Sequence, residues 1–373
     1  MTQSDQHILI LSSWYPTKTH PYLGNFVVKQ IELLSKKYRV SVIHCEEDPF
    51  IKSIEVKTNN EKGYTEIKAS FPRKKMLIQK KLKEKKAFQL ALNKLDKIDL
   101  IIGNVLLPKG WEFILAKRKF NCPLFYIEHG SYFRKNAPAW RKIDFVIKNK
   151  VEKLADEVIA VSDFLRKDLV QHFPNHAIKT IGNHTDTALF NFQEKEQSEV
   201  VSFLHVSTLD RHTKNPEGIL AACDLLAKEG LKFNLKIISD EDYSQYNAKV
   251  HQLGLENHVT FSGPLSSNQL VPFYHNADVF LMFSEYETFS IVMAEAWSTG
   301  TPIITTPVGI AENMSLDLGI LVDKGNVSDL AAAMKKMIEH PIKKSTAIRE
   351  HAMQYSEENT VRKWTQLIED TIG

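Results

Sequence analysis

The chain has 373 residues, 43% apolar and 25% charged, a soluble globular composition with room for two domains that argues against disordered, fibrous or membrane-embedded classes. Its three cysteines, Cys45, Cys122 and Cys223, are odd in number and far apart, so neither a disulfide framework nor a zinc site is indicated, and a reducing compartment is the simplest inference. The net charge of +3 is unevenly spread: Lys and Arg stand at 33 against 20 acids over residues 1–190 and at 15 against 25 over 191–373, so the first half is expected to meet something anionic. The apolar run Ile8-Leu9-Ile10-Leu11 is too short for a signal h-region, and no stretch approaches the length of a membrane-spanning helix. A cytoplasmic location is expected.

In chain order, residues 8–13 read as a first strand. Trp14-Tyr15-Pro16 and Pro21-Tyr22-Leu23-Gly24 follow, then a helix to about Lys37. Gly24 stands where that helix begins; it can let a phosphate or sugar approach the backbone, or be a plain turn residue. With the strand Val40-Ser41-Val42-Ile43 this is a β-loop-α-β opening without Gly-x-Gly-x-x-Gly, which argues against a dinucleotide enzyme. Further strands are expected near 51–57 and 64–70. Residues 73–86 carry eight basic side chains and one acidic one, and run into a helical pattern containing Phe88, Leu90, Leu92 and Leu95. Such a segment can lie on an anionic membrane surface, here the inner face of the plasma membrane, or be a solvated helix face. Nucleic acid is disfavoured, because no aromatic residues interleave the basic run.

Residues 99–103 read as the next strand, and Leu124-Phe125-Tyr126-Ile127 as another that runs into Glu128-His129-Gly130-Ser131. His129 at a strand's carboxyl end is either structural or part of a site. Arg134, Lys135 and Arg141 can contact an anionic acceptor or lie on the surface. Residues 156–162 form the last main strand of this half, with Ser162 capping the next helix. Residues 181–190 then lead into the polar stretch 193–198, read as a linker. The expected division is a first domain over 1–190 and a second over 191–356.

The second half opens with a strand over 200–207, a loop holding Thr208, Arg211 and Lys214, and a helix after Pro216. Strands follow near 235–240 and 258–262, the latter turning at Gly263-Pro264. The apolar run 277–283 and the β-rich Ile303-Ile304-Thr305-Thr306 bracket Ser284-Glu285-Tyr286-Glu287-Thr288-Phe289-Ser290 and a helix that Thr288 or Ser290 can cap and Gly300 and Pro302 stop. Such a helix begins at the carboxyl end of a strand, where its free N–H groups favour a phosphate. Glu287 and Glu295 are eight positions apart, about two helical turns, so both carboxylates can address one face. By themselves they can equally be helix-surface charges. A glycosidase pair is disfavoured, since such carboxylates usually come from separate elements. A last strand over 319–322 and helical patterns over 326–338, 341–353 and 357–371 complete the chain.

The run from Glu287-Thr288-Phe289-Ser290 through Glu295 to Gly300-Thr301-Pro302 resembles the Glu-x7-Glu signature of the group 1 (family 4) retaining glycosyltransferases. The resemblance implies an α/β GT-B fold, two Rossmann-like domains with parallel sheets facing a central cleft, and a final helix, about 357–373, that packs back onto the first domain. It implies that Glu287 meets the hydroxyls of a donor sugar, Glu295 the ribose, and the amides of Thr288, Phe289 and Ser290 the diphosphate. Gly24 matches a glycine near the donor phosphates, Gly263 lies in the turn where the family receives the base through backbone groups and can permit that approach or be a plain turn residue, and His129 matches a histidine close to the reacting sugar. Lys214 fits the lysine of the diphosphate clamp. Thr208 occupies the position of its arginine, for which Arg211 can substitute from within the loop. Thr-Phe-Ser also replaces the usual Gly-Phe-Gly, which lowers the loop's φ freedom.

The implied reaction moves a sugar from a nucleotide-diphosphate sugar to a glycan or lipid-linked acceptor in cell-surface polysaccharide or glycolipid biosynthesis. It needs no metal or other cofactor, since the nearest acidic cluster, Asp240-Glu241-Asp242, reads as surface. A non-hydrolysing sugar-nucleotide epimerase and a catalytically silent sugar-nucleotide-binding protein remain as alternatives.

Overall fold

The computed structural model describes residues 4–17, 20, 23–135, 137, 139–195 and 198–373. Pro21 and Tyr22 of the expected opening loop, and Glu196 and Gln197 of the expected linker, lie outside these residues. The chain divides into two units, one of Met1–Val161, Arg166–Ile181 and Val361–Gly373, the other of Ser162–Leu165 and Gly182–Thr360.

The first unit runs β1 (Ser4–Ser12), α1 (Asn25–Ser35), β2 (Tyr38–Asp48), β3 (Glu55–Asn59), β4 (Thr65–Pro72), α2 (Leu77–Leu92), β5 (Leu100–Asn104), α3 (Gly110–Phe120), β6 (Leu124–Glu128), α4 (Lys142–Leu154), β7 (Glu157–Ala160), α5 (Asp163–Val170, begun in the other unit) and β8 (Lys179–Thr180). Its sheet has the order β3-β4-β2-β1-β5-β6-β7-β8 and is parallel except for the β3–β4 pair. β1 lies centrally, with Ile8 opposite Val40 on one side and Leu100 on the other. Helices cover both faces of such a sheet, which is why Ile8-Leu9-Ile10-Leu11 is apolar without alternation and wholly buried. Each of these side chains contributes about 1.5–3 kcal/mol by burial.

The second unit runs β9 (Val201–Val206), α6 (Pro216–Lys228), β10 (Phe233–Ile238), α7 (Ser244–Leu253), β11 (Val259–Ser262), α8 (Ser267–Asn276), β12 (Val279–Met282), α9 (Ile291–Ser298), β13 (Ile303–Thr305), β14 (Gly319–Leu321), α10 (Val327–Glu339) and α11 (Thr346–Ala352). The last helix, α12 (Glu357–Ile372), starts here and belongs to the first unit from Val361 onward. The six strands are all parallel, in the order β11-β10-β9-β12-β13-β14. Successive residues of one strand feed opposite cores. Phe203, Val279, Leu281 and Ile304 enter one, and Leu204, Phe280, Met282 and Ile303 the other, together with Trp297 of α9. Both units therefore have the α/β organisation expected from strands alternating with helical patterns.

Candidate functional site

A doubly wound sheet opens a crevice where its strand order reverses, because the two loops leaving the central strands diverge to opposite faces. In the second unit that point lies between β9 and β12. The loop after β9 carries Lys214 and the loop after β12 carries Glu287, and the N–H of Glu285 donates to the carbonyl of Thr213 at 2.8 Å to tie the loops together. Lys214 Nζ donates to Glu287 Oε1 at 2.5 Å, and Ser284 Oγ donates to the same oxygen at 2.8 Å. Thr306 Oγ1, beyond β13, donates to the carbonyl of Ser284 at 2.5 Å. Glu287 is 8% exposed, so its charge is held by a cation and a hydroxyl in place of water. Ser284 and Thr306 carry no signal in the sequence beyond lying at strand ends.

Beneath this pair His205 of β9 is fully buried. Its Nδ1 lies 2.8 Å from the carbonyl of Leu281 and its Nε2 2.7 Å from Ser207 Oγ. Burial lowers its pKa to about 4, so the ring is neutral and spans β9 and β12 as a fixed strut.

The turn from Thr288 to Ser290 delivers the chain into α9. Ser290 sits at the N-cap with φ 74°, and neither Thr288 nor Ser290 caps the helix through its side chain. Ser290 Oγ is buried without a hydrogen-bond partner. Of the two positions where glycine is expected, Ser290 alone lies in the left-handed region. Among the described residues, no acceptor is found for the N–H groups of Thr288, Phe289 and Ser290. Three supports hold the turn. Ser162 Oγ donates to the carbonyl of Thr288 at 2.5 Å while accepting from the N–H of Leu165 at 3.0 Å, so the expected cap residue also braces the loop. Phe289 is buried edge-on against Tyr355, with ring centroids 5.3 Å apart. Gly309, at φ 54°, passes so close that a Cβ there would lie 2.5 Å from the carbonyl oxygen of Phe289.

Glu295 lies inside α9, 5% exposed, and its Oε2 accepts from the hydroxyl of Tyr274 on α8 at 3.0 Å. Arg211 is remote in character from this buried pairing: its side chain is 68% exposed and lies 3.7 Å from Glu217 on the first turn of α6. Gly263 follows β11 at φ 134°, and a Cβ there would stand 1.9 Å from the carbonyl oxygen of Ser239, so the close approach of two strand ends already requires glycine. Asp242 of the acidic cluster accepts from the N–H and hydroxyl of Ser244 at the start of α7, and no cluster of three His, Cys, Asp or Glu suited to a metal is found among the described residues.

In the first unit the strand order reverses between β1 and β5, and the loop after β6 adjoins it. Glu128, the last residue of β6, is fully buried and accepts from the N–H groups of His129 at 2.8 Å, Gly130 at 2.6 Å and Leu106 at 3.3 Å, and from the hydroxyl of Tyr126. This carboxylate fixes the backbone that presents His129. The His129 ring stacks on Phe26 of α1 with centroids 4.2 Å apart, and its Nε2 lies 2.9 Å from Asn104 Oδ1 at the end of β5. With Nε2 donating, Nδ1 is a bare acceptor, and it is buried without a partner among the described residues. Burial lowers the His129 pKa to about 3, which keeps the ring neutral. Gly24 is the N-cap of α1 at φ 76°, where a Cβ would lie 2.5 Å from the carbonyl oxygen of Trp14. Val105, just past β5, also has positive φ, an arrangement rare for a β-branched residue and concentrated at functional loops.

Two family models match successive parts of the chain: glycosyl transferases group 1 over residues 186–355 and glycosyltransferase family 4 over residues 23–189. The chain is 22% identical over 283 residues to a D-inositol 3-phosphate glycosyltransferase of Corynebacterium aurimucosum, covering 66% of this chain and 65% of that protein. The protein of the same name from Mycolicibacterium smegmatis is 36% identical over 116 residues, 30% of this chain and 26% of the relative. The chain thus spans less than two thirds of the length of these curated relatives. Among solved structures, sucrose-phosphate synthase from Thermosynechococcus elongatus superposes with a TM-score of 0.78 at 21% identity, covering 98% of both chains. The Anabaena protein HepE in complex with UDP and glucose does so with a TM-score of 0.71 at 16% identity, covering 98% of this chain and 100% of that one. At these identities the likeness is one of fold, and the fold is GT-B.

Proposed function

We propose that this chain, which belongs to the group 1 (family 4) glycosyltransferases, moves a sugar from a nucleotide-diphosphate sugar to a glycan or lipid-linked acceptor with retention of anomeric configuration. The observation that carries this reading is the Lys214–Glu287 pair at the β9/β12 switch point, beside three backbone N–H groups at the start of α9 that have no acceptor among the described residues. Backbone donors and a helix N-terminus suit a diphosphate, and Lys214 adds a cation. Glu287 Oε1 already accepts from a hydroxyl, as it would from a donor sugar. Glu295 is assigned to the ribose, Gly263 to the base through its backbone, and Gly24 to close approach of the donor phosphates. Arg211 is assigned as the second cation of the diphosphate clamp, which requires it to leave Glu217. His129 offers Nδ1 as an acceptor for a sugar hydroxyl. The Anabaena structure that holds UDP and glucose supports a nucleoside diphosphate sugar as the donor class.

In the reaction the bond from the anomeric carbon to the diphosphate oxygen breaks, and the acceptor oxygen bonds that carbon on the same face. The acceptor's proton passes to the departing phosphate. Lys214 and the α9 N–H groups take up the charge that develops on the leaving group, a contribution of about 3–4 kcal/mol per well-placed donor, and no metal is needed. The biosynthetic setting is the assembly of a cell-surface polysaccharide or glycolipid in the cytoplasm. The test is incubation of the purified chain with a panel of nucleotide sugars and membrane extract, with and without chelator. Acceptor-dependent release of nucleoside diphosphate, unchanged by chelator and with the donor's anomeric configuration kept in the product, is expected. An epimerised sugar nucleotide formed without acceptor would make the chain an epimerase instead.

A further inference from the structure

The basic segment of the first unit forms one wall of a groove of about 610 Å³ that is lined by none of the residues assigned to the donor. Its floor is apolar: Pro108, Trp111, Ile114 and Leu115 of the β5–α3 region, with Val146 and Ile147 of α4. Around it, large apolar side chains face solvent. Leu77 on α2 and Ile143 and Val146 on α4, all in its lining, are 64%, 48% and 47% exposed, and Ile78 and Leu82, elsewhere on α2, are 70% and 62% exposed. Large apolar side chains left exposed along one groove of a folded domain mark a binding surface.

The rim is cationic. Lys81, Lys85, Arg118 and Lys150 line it, and among the described residues the last three have no hydrogen-bond or ion-pair partner. The other cations are already matched: Lys80 with Glu47, Arg141 with Asp144 at 2.7 Å, and Lys109 with Glu84 at 3.6 Å. Glu84, the one acid on the lining, is therefore neutralised in place. Long basic side chains over an apolar floor match an amphiphile with an anionic head, because their methylene stems extend the apolar surface while their charges stay at the water boundary. A soluble polyanion would leave the apolar floor uncovered. A second copy of this chain, docked symmetrically, would bring the same basic rim onto itself.

We propose that this face docks on a bilayer containing anionic phospholipid, with acyl chain filling the groove and headgroup phosphates meeting Lys81, Lys85, Arg118 and Lys150. Docking requires no turnover, so it stands or falls separately from sugar transfer. Sedimentation of the full chain with phosphatidylcholine vesicles, with and without phosphatidylglycerol, tests it. The chain should pellet only with the anionic vesicles. Each basic residue near such a surface is worth about 1 kcal/mol, so joint replacement Lys81→Gln, Lys85→Gln and Lys150→Gln should lower partitioning on the order of 100-fold. Val146→Asp, at a half-exposed position, should abolish the part of binding that survives high salt while leaving the melting temperature unchanged. Equal pelleting with neutral vesicles, no pelleting, or variants that bind like the parent would overturn the proposal. So would a dimer in sedimentation velocity that Val146→Asp dissociates, which would assign the face to self-association.

Discussion

Lys214 Nζ and Glu287 Oε1 meet at 2.5 Å across two loops whose residues are 73 apart in the chain, and Glu287 is largely withdrawn from water. The pair is the point at which the two halves of the second sheet's crevice are joined. Removing one member leaves the other charged, buried and unmatched, which typically costs 3–5 kcal/mol, whereas replacing both together is far milder. Lys214→Met and Glu287→Gln should each lower stability, and the double variant should be more stable than the sum of the two losses predicts, by about 1–3 kcal/mol. Urea denaturation of the four proteins measures this; strict additivity would show that the ion pair carries no coupling. All three variants should lose roughly 100- to 1,000-fold in transfer rate.

Ser290 adopts φ 74° with its hydroxyl buried and unpartnered. A left-handed conformation costs an L-residue about 1–2 kcal/mol, partly offset in glycine by the greater entropy of its unfolded chain. Ser290→Gly should therefore stabilise the fold by up to about 1 kcal/mol and raise the melting temperature by roughly 1 °C. A lowered melting temperature would mean that the serine hydroxyl makes a contribution that this geometry does not account for.

Gly263→Ala should act in the opposite sense. The new methyl would be placed 1.9 Å from the carbonyl oxygen of Ser239 at a φ of 134°. The strand ends of β10 and β11 must part to admit it, at a cost on the order of 3 kcal/mol or more. Calorimetry showing an unchanged melting temperature would contradict this packing.

His129 and His205 are held neutral by burial, with pKa values lowered to about 3 and about 4. A depressed pKa for a base means that the unfolded chain binds protons first. The stability these residues contribute is complete above about pH 6.5 and is lost as pH falls through that value towards the folded pKa, at about 1.4 kcal/mol per pH unit for each ring. Glu112, pushed up to about 8 by burial, works the other way: it is protonated in the fold where the unfolded side chain is ionised, so its share grows as pH falls from 8. Unfolding free energies of parent and His205→Gln, compared between pH 4.5 and 6.5, isolate one ring. The variant's profile should be less steep in the acid direction by one proton, and parallel profiles would refute the neutral buried histidine.

Much of this organisation is legible in the sequence, because the elements that position the site are punctuated locally. The apolar run 277–283 is followed by Glu287, a helix and Gly300-Thr301-Pro302, and that order alone puts a helix N-terminus at a strand's carboxyl end. Lys214 is picked out only by the resemblance, since a lone lysine in the loop before Pro216, the first residue of α6, would ordinarily be solvated. What the sequence hides are partners joined only by topology. Ser284, Tyr274 and Asn104 are common polar residues, and nothing local says that they hold Glu287, Glu295 and His129. Glu128 is visible beside His129, yet its four donors come from three separate backbone positions and the Tyr126 hydroxyl. The substitution at Ser290 is legible as a loss of φ freedom, whereas its effect depends on the turn, since Thr288 avoids the left-handed region and Ser290 does not.

The most direct test of the central claim is acceptor-dependent release of nucleoside diphosphate by the purified chain, measured beside Lys214→Met and Glu287→Gln at matched folded concentrations. Release by the parent is expected when its donor and acceptor are both present, with a loss on the order of 100-fold or more in each variant. Release by the variants at the parental rate would contradict the assignment of the β9/β12 crevice as the donor site.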